Sequence, residues 1–110
     1  MHPYHAHIYF TVDELPKATQ VREAIAHAIP QLTYVGRLIP MPIGPHPKPM
    51  FEMHIPISIA ESAIATIDHL RDGLSVLIHP VQHDELEAHT LKARWLGTPL
   101  PLHLAIFSDR

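Results

Sequence analysis

The order of hydrophobic periodicities along the chain constrains its fold more than any other feature. Segments in which apolar and polar residues alternate, or in which β-branched residues predominate, predict strands. Segments with apolar residues at every third or fourth position predict amphipathic helices. Strands are expected at residues 4–12, 32–39, 50–59 and 74–80, and helices at residues 13–30 and 60–72. The chain therefore begins with the order β-α-β-β-α-β.

A proline-rich segment at residues 40–49, "PMPIGPHPKP", separates the second and third predicted strands. Proline has no backbone N–H and a fixed φ, so this segment can join neither a helix nor a sheet ladder. We expect a stiff loop here. After the fourth strand, residues 83–97 predict a third helix that ends at Gly97, and residues 101–107, "PLHLAIF", predict a short last strand.

These elements predict an α+β fold of the ferredoxin-like βαββαβ kind, extended by the C-terminal helix and strand. The expected sheet is antiparallel with its helices on one face. The expected spatial order of its first four strands is 4-1-3-2, with strands 1 and 3 running parallel in the middle. Another α+β sandwich is the alternative. A chain of 110 residues suits a single domain covering residues 1–110.

The high histidine content is the feature of the composition that bears most on function. Eleven of the 110 residues are histidine and none is cysteine, which excludes disulfides and thiolate metal sites. The net charge of -3 gives no basic footprint for nucleic acid. No apolar run approaches the roughly 20 residues that span a bilayer, and the N-terminus lacks the pattern of a signal peptide. We expect a soluble, cytoplasmic protein that binds neither nucleic acid nor membrane.

Side-chain alternation sorts the histidines onto one face of the predicted sheet. In the first strand, apolar residues at positions 6, 8 and 10 point to the core, so His5, His7 and Tyr9 point away from it. The same alternation in the later strands assigns four more polar residues to this face: Glu52, His54, His79 and His103. We therefore expect the face without helices to be rich in imidazole.

The predicted strand order gathers four of these histidines. The start of strand 1 adjoins the end of strand 4, and the proline loop is expected at the same end. His5, His7, His46 and His79 would then lie together. Such a group predicts a metal site or an acid–base site, and because neutral imidazole binds iron, zinc, copper and nickel alike, the metal is left open.

The remaining histidines divide into two groups. Four are expected to be solvated surface residues: His2, His27, His69 and His83. His89, in the third predicted helix, can reach the cleft or lie on the helix surface, and the pattern does not decide between them. Arg94 of the same helix is a candidate anion clamp, whereas Trp95 is expected to pack in the core.

Four stretches occur in order over nearly the whole chain, from about Tyr4 to Leu102: "YHAHIYF", "IGPHPKPMFEM", "LSVLIHP" and "HTLKARWLGTPLPL". In combination they resemble the DOPA 4,5-dioxygenase family. The resemblance implies a ferredoxin-like fold and extradiol opening of a catechol ring by dioxygen at a non-haem ferrous ion. The chain departs from the family after "LIHP", where "VQHDE" replaces a glycine-containing turn. Matched by motif, the characteristic histidines of the family fall on His5, His7, His46, His79 and His89.

Under this resemblance we assign His7, His46 and His79 as ligands of Fe(II), with Glu52 as the alternative third ligand. Zinc or nickel can replace iron in purified protein. His5 and His89 are assigned to proton transfer, because an imidazole pKa near 6.5 suits both loss and gain of a proton at neutral pH. The division between ligands and proton carriers is not fixed by the sequence.

The implied substrates are a catechol-type diol, such as DOPA, and O2. Tyr9, Glu52 and Arg94 are the candidates for contacts with the diol, and Arg37 is an alternative to Arg94 for pairing with a substrate carboxylate. The competing interpretation is a non-catalytic metal- or small-molecule-binding module whose histidine-rich face serves as a dimer interface. A homodimer is expected on either interpretation, because an exposed sheet face in a small domain is often covered by a partner.

Overall fold

The computed structural model describes residues 3–107, so His2 and the last three residues lie outside the description. The strands are β1 (Tyr4–Tyr9), β2 (Tyr34–Val35), β3 (Met50–Ile55), β4 (Val76–Pro80) and β5 (Arg94–Leu96). The helices are α1 (Leu15–Ala28), α2 (Ala60–Leu70) and α3 (Glu85–His89). Short 3-10 turns cover Val12–Glu14, Ile57–Ile59 and Leu104–Phe107.

The five strands form one sheet in the order β2-β3-β1-β4-β5, and every neighbouring pair is antiparallel. This confirms the α+β, ferredoxin-like prediction and the order of its first four strands. The predicted parallel run of strands 1 and 3 was wrong. Because α1 returns the chain so that β2 runs parallel to β1, the strand between them pairs antiparallel with both.

The main core lies between the sheet and helices α1 and α2. In α1 the buried side chains recur at the helical period, namely Ala18, Val21 and Ile25. They pack with the inward residues of the strands, including Ile8 and Met53, both fully buried. Truncating such a buried side chain to alanine typically lowers the free energy of unfolding by about 2–5 kcal/mol. Because these side chains are held against the helices, the opposite face of the sheet points outward.

All four of the first predicted strands are shorter in the structure, the second and third by the most. The second spans only Tyr34–Val35 rather than residues 32–39, although Ile39 makes one further bridge to Met50. The third ends at Ile55, because Pro56 cannot donate to a ladder and the chain turns there into a 3-10 turn.

The C-terminal region corrects the prediction of a long helix over residues 83–97. Asp84 caps α3 as its spacing indicated, since its Oδ1 accepts a hydrogen bond of 3.0 Å from the N–H of Glu87. The helix then ends at His89, and β5 follows where more helix was expected. A physical reason for β5 is that β4 would otherwise be the unpaired edge of the sheet. Pairing of β5 with β4 places Trp95 opposite Leu77 on an apolar surface.

The predicted last strand over residues 101–107 was also wrong. Pro99 and Pro101 remove backbone donors from this segment, which lies over the sheet and ends in the turn Leu104–Phe107. Within residues 3–107, the helices are too short or too polar to cross a membrane.

Candidate metal centre and substrate cavity

Four aromatic side chains form a row across the sheet on the face opposite α1 and α2. Tyr34 of β2 pairs with His54 of β3, which pairs with His5 of β1, which pairs with His79 of β4. The ring centroids of successive members lie 4.5, 3.8 and 5.4 Å apart. The row arises because residues opposite one another in an antiparallel sheet point to the same face.

The next row on this face changes from polar to apolar. Glu52, His7, Leu77 and Trp95 are opposite one another in β3, β1, β4 and β5. Leu77 then packs with Tyr9 in a small apolar cluster of its own. The face thus carries imidazoles toward the start of β1 and apolar groups toward its end.

The proline-rich loop supplies His46 by a route that the sequence did not predict. Because β3 starts opposite Tyr9, the loop leaves the sheet at the end of β1 and not at its start. It folds back over the face, where Nδ1 of His46 lies 2.7 Å from the phenol oxygen of Tyr9. The ring of His46 then lies 4.2 Å from that of His7, centroid to centroid.

The histidine-rich face is covered rather than open. Four histidines are only 3–6% exposed: His7, His46, His79 and His89. Trp95 and two leucines of the C-terminal segment pack on the apolar cluster. The backbone N–H of His103 donates a 2.8 Å hydrogen bond to the carbonyl of Pro45, joining that segment to the proline loop. An open face can therefore no longer support the homodimer, which stays a prediction.

The contact between His7 and His79 is the most unusual in this group. Their Nε2 atoms lie 2.9 Å apart. Nδ1 of His79 donates to the carbonyl of Pro80 at 2.9 Å, so Nε2 of His79 is unprotonated in the neutral ring. His7 must then donate through Nε2, which leaves its buried Nδ1 without a hydrogen bond.

The neighbouring imidazoles follow the same pattern at Nδ1. His89 donates through Nδ1 to the carbonyl of Glu85 at 2.8 Å, and Nδ1 of His46 contacts the Tyr9 phenol. In His89 Nε2 is then the nitrogen available to a ligand, and in His46 it is so in the tautomer in which Nδ1 donates to the Tyr9 oxygen. Metal-binding histidines characteristically have their second ring nitrogen hydrogen-bonded to oxygen, which fixes the tautomer and orientation of the ring.

Burial keeps the imidazoles of His7, His46 and His79 neutral. It lowers the pKa of His79 to about 3 and that of His46 to about 4. Burial also holds the pKa of His7 well below its usual range, with the neighbouring imidazoles adding to the effect. The pKa of the less buried His5 is lowered by burial first and by His54 next. Neutral imidazole is the form that binds a metal.

Glu52 contributes a carboxylate to the site from β3. Its two oxygens lie 3.6 Å from Nδ1 of His5 and 3.6 Å from Nδ1 of His7, and it also bonds to Nε2 of His54. The sequence had assigned Glu52 to this face as a substrate contact or an alternative ligand. In the structure it lies among three imidazoles.

A cavity of about 240 Å³ opens beside the histidines. Six sequence-predicted residues line it: His5, His7, His46, Glu52, His79 and His89. Sequence reasoning missed four further lining residues, namely Pro45, Val81, Glu85 and Phe107. Glu85 could have been found by its helical spacing from His89, whereas Phe107 had been placed in a strand that does not form.

The remaining predicted contacts lie elsewhere. Tyr9 is 1% exposed and lies behind His46, outside the lining of the cavity. Arg94 is in β5, where it forms an exposed ion pair of 3.0 Å with Glu61 on α2. Arg37 is exposed and does not line the cavity either. The predicted anion clamp is therefore not assembled by these arginines.

Within the described residues, three groups of donors are compact enough to hold a metal ion. They are His5–His7–His79, His7–His46–His89 and His5–Glu52–His54, each with its donor atoms within 4.8 Å of one another. His7 belongs to two of the groups. The predicted ligands His7, His46 and His79 are thus divided between two adjoining groups that share one imidazole.

Two curated proteins are similar to this chain over most of its length. A DOPA 4,5-dioxygenase of Amanita muscaria is 31% identical over 109 residues, which covers 93% of this chain and 48% of that protein. An uncharacterized 21.2 kDa protein of Botryotinia fuckeliana is 34% identical, covering 94% of this chain and 62% of that protein. The chain spans about half to three fifths of the length of these curated relatives.

A solved structure extends the likeness to three dimensions. The crystal structure of a protein from Nostoc punctiforme, assigned provisionally as a dioxygenase, superposes with a TM-score of 0.86 at 30% identity. The match covers 99% of this chain and 93% of that one. The sequence profile of the Dopa 4,5-dioxygenase family matches residues 4–106. The chain therefore belongs to the Dopa 4,5-dioxygenase family.

Proposed function

We propose that the protein is an extradiol dioxygenase that opens a catechol-type ring with O2 at a histidine-bound, non-haem ferrous ion. The observation that carries the proposal is the 2.9 Å approach of the Nε2 atoms of His7 and His79. Two imidazole ligands at about 2.1 Å from one ion and at right angles to each other are about 3 Å apart. The spacing of this pair therefore suits a shared ion with ligands at right angles, and in the metal-free protein it is bridged by an N–H···N hydrogen bond.

The protonation of His7 supports the same conclusion. Without an ion, His7 keeps its proton on Nε2 and leaves Nδ1 buried with no hydrogen bond. With an ion bound by Nε2, the proton resides on Nδ1, which lies 3.6 Å from the Glu52 carboxylate. A ligand role thus replaces an orphaned nitrogen with an N–H directed at a carboxylate, a recurrent arrangement around metal ions.

We propose His46 as the third ligand, as the sequence indicated, because its ring lies 4.2 Å from that of His7. His46 and His79 belong to different compact donor groups that share His7, so this ligand set requires His7 to be the common ligand. Burial lowers the pKa values of His7, His46 and His79, so all three are neutral and ready to bind an ion at physiological pH. A ferrous ion bound here would favour the deprotonated catechol by charge attraction and supply the redox chemistry that makes O2 reactive.

The residues outside this ligand set handle protons. Nδ1 of His89 is occupied by the Glu85 carbonyl, so its Nε2 is free to accept a proton from a catechol hydroxyl in the cavity. His5 also lines the cavity and is 25% exposed, so it can exchange protons with solvent. The two carboxylate oxygens of Glu52 lie 3.6 Å from Nδ1 of His5 and 3.6 Å from Nδ1 of His7, so the carboxylate is a neighbour of both rings.

The walls of the cavity suit a small planar ring. The ring of Phe107 lies 4.9 Å from that of His89, and Pro45 and Val81 are further lining residues without polar side chains. Apolar walls with a few convergent polar groups are typical of small-molecule sites. The volume of about 240 Å³ favours a single-ring diol over a fused-ring substrate.

The test is anaerobic loading of the purified protein with ferrous ion and a catechol, followed by admission of air. We expect O2 uptake and a yellow ring-opened product. His7→Ala should abolish both stoichiometric metal binding and product formation, whereas the exposed His69→Ala should match the wild type. Iron-loaded protein that consumes no O2 with any of several catechols would refute the activity and favour a non-catalytic metal-binding module.

A further inference from the structure

The charged groups around the cavity bear on which catechol it accepts. Apart from imidazoles, the ionisable side chains that line the cavity are the carboxylates of Glu52 and Glu85. Within residues 3–107, no lysine or arginine is among the lining residues. We propose that Glu85 selects a catechol whose side chain carries an amine over one whose side chain carries a carboxylate. This inference rests on the proposed function and names the substrate class within it.

The position of Glu85 follows from the short helix α3. Glu85 is the first residue of this helix and His89 is the last, so the two lie one turn apart on the same face. That face borders the cavity, because both residues line it. Oε2 of Glu85 lies 3.8 Å from Nδ1 of His89. The carboxylate therefore lies beside the imidazole that is proposed to accept the catechol proton.

The two carboxylates of the cavity differ in what they already contact. Glu52 lies among three imidazoles, and its side chain is 27% exposed. The side chain of Glu85 is 51% exposed, and its 3.8 Å approach to His89 is longer than a hydrogen bond. Nδ1 of His89 already donates to the backbone carbonyl of Glu85. The carboxylate of Glu85 can therefore accept hydrogen bonds from a ligand.

A bound catechol would direct its side chain toward Glu85. The hydroxyls belong at the four histidines that are 3–6% exposed, so the opposite end of the ring points to the exposed part of the cavity. An ammonium there pairs with the Glu85 carboxylate, whereas a carboxylate is repelled by Glu85 and Glu52. The arginines considered as a clamp for a substrate carboxylate, Arg37 and Arg94, do not line the cavity.

The test compares dopamine with dihydrocaffeate, which carries a carboxylate on the same two-carbon chain. We expect kcat/KM of the ferrous-loaded protein to favour dopamine by about 10-fold, because exposed charge pairs are weak but attraction and repulsion add. Glu85→Gln should remove this preference, and Glu85→Lys should reverse it. The matched control is Glu87→Gln, which removes a carboxylate from the same helix outside the cavity lining and should keep the wild-type preference.

Anaerobic calorimetry of catechol binding to the same variants separates this inference from the proposed function. Equal dissociation constants and equal turnover for the two catechols would overturn the inference and leave the activity standing. Dopamine binding that is weakened in Glu85→Gln, with no O2 uptake for either catechol, would refute the activity and support the charge selection. Equal loss of the preference in Glu87→Gln and Glu85→Gln would indicate a general effect of helix charge and overturn the assignment to Glu85.

Discussion

The stability of the metal-free protein should depend on pH through His79. Burial lowers its pKa to about 3 in the folded protein, whereas an unfolded chain has a value near 6.5. Between these two values the unfolded state holds a proton that the folded state lacks. Acid therefore favours unfolding, and the contribution is fully present above about pH 6.5 and is lost as the pH falls toward 3.

The size of this pH effect on the free energy of unfolding follows from the linkage between proton binding and folding. One histidine that is protonated only when unfolded changes the free energy of unfolding by about 1.4 kcal/mol per pH unit. Allowing for partial titration near 6.5, His79 should account for about 1 kcal/mol between pH 6 and pH 5. The pKa values of His7 and His46 are lowered as well. The free energy of unfolding of the wild type should therefore fall by about three times as much over this interval.

The assay is urea unfolding of chelator-treated protein at several pH values between 7 and 5. Metal must be removed because its binding has a pH dependence of its own. His79→Gln is the informative variant, since the amide can still accept a hydrogen bond from Nε2 of His7. Its free energy of unfolding should fall less steeply with acid, by about 1 kcal/mol per pH unit near pH 5.

The comparison is between slopes and not between absolute stabilities, which the substitution also changes. His69→Gln, on the exposed side of α2, is the matched control for replacing a histidine by glutamine, and its slope should equal that of the wild type. Equal slopes for the wild type and His79→Gln would show that His79 is not held neutral by burial, and the ligand argument would lose its electrostatic basis.

Three further substitutions test other contacts. Tyr9→Phe removes the phenol bonded to His46, and we expect zinc affinity to fall about 10-fold in competition with a chelator; unchanged affinity would contradict the positioning role. Gly97→Ala should lower stability by about 1–2 kcal/mol in thermal unfolding, because φ there is +76° and a Cβ would meet an arginine side chain; a neutral result would refute that reasoning. Arg94→Ala should change the free energy of unfolding by less than about 1 kcal/mol, since the ion pair of Arg94 with Glu61 is exposed. The same variant should leave catechol turnover unchanged. A large loss of turnover would restore Arg94 as a substrate contact.

The sheet and its faces could be predicted because alternation is a local property. Positions 6, 8 and 10 are apolar, and this alone sends His5 and His7 to the outer face. The same rule placed Glu52 and His79 with them. A one-residue error in register would have exchanged the faces, so agreement at four strand positions is informative.

The parts of the prediction that were wrong concern segments whose conformation is decided by tertiary contacts rather than by local sequence. Residues 90–97 have helical spacing, but the segment pairs instead with the edge of β4, where Trp95 packs on an apolar cluster. The direction of strand 3 was mistaken, so the prediction brought His46 to the right neighbours from the wrong end of the sheet. Phe107 could not be assigned to the cavity, because its position depends on a turn that local propensity does not specify.

The proline-rich loop has a consequence for how an ion enters the site. Five of its ten residues are proline, so the unfolded chain already has few backbone conformations at this segment. Little entropy remains to be lost when His46 takes its position against Tyr9. If His46 is a metal ligand as proposed, an ion would thus find it already placed, and exchange of one metal for another should proceed without refolding of the loop.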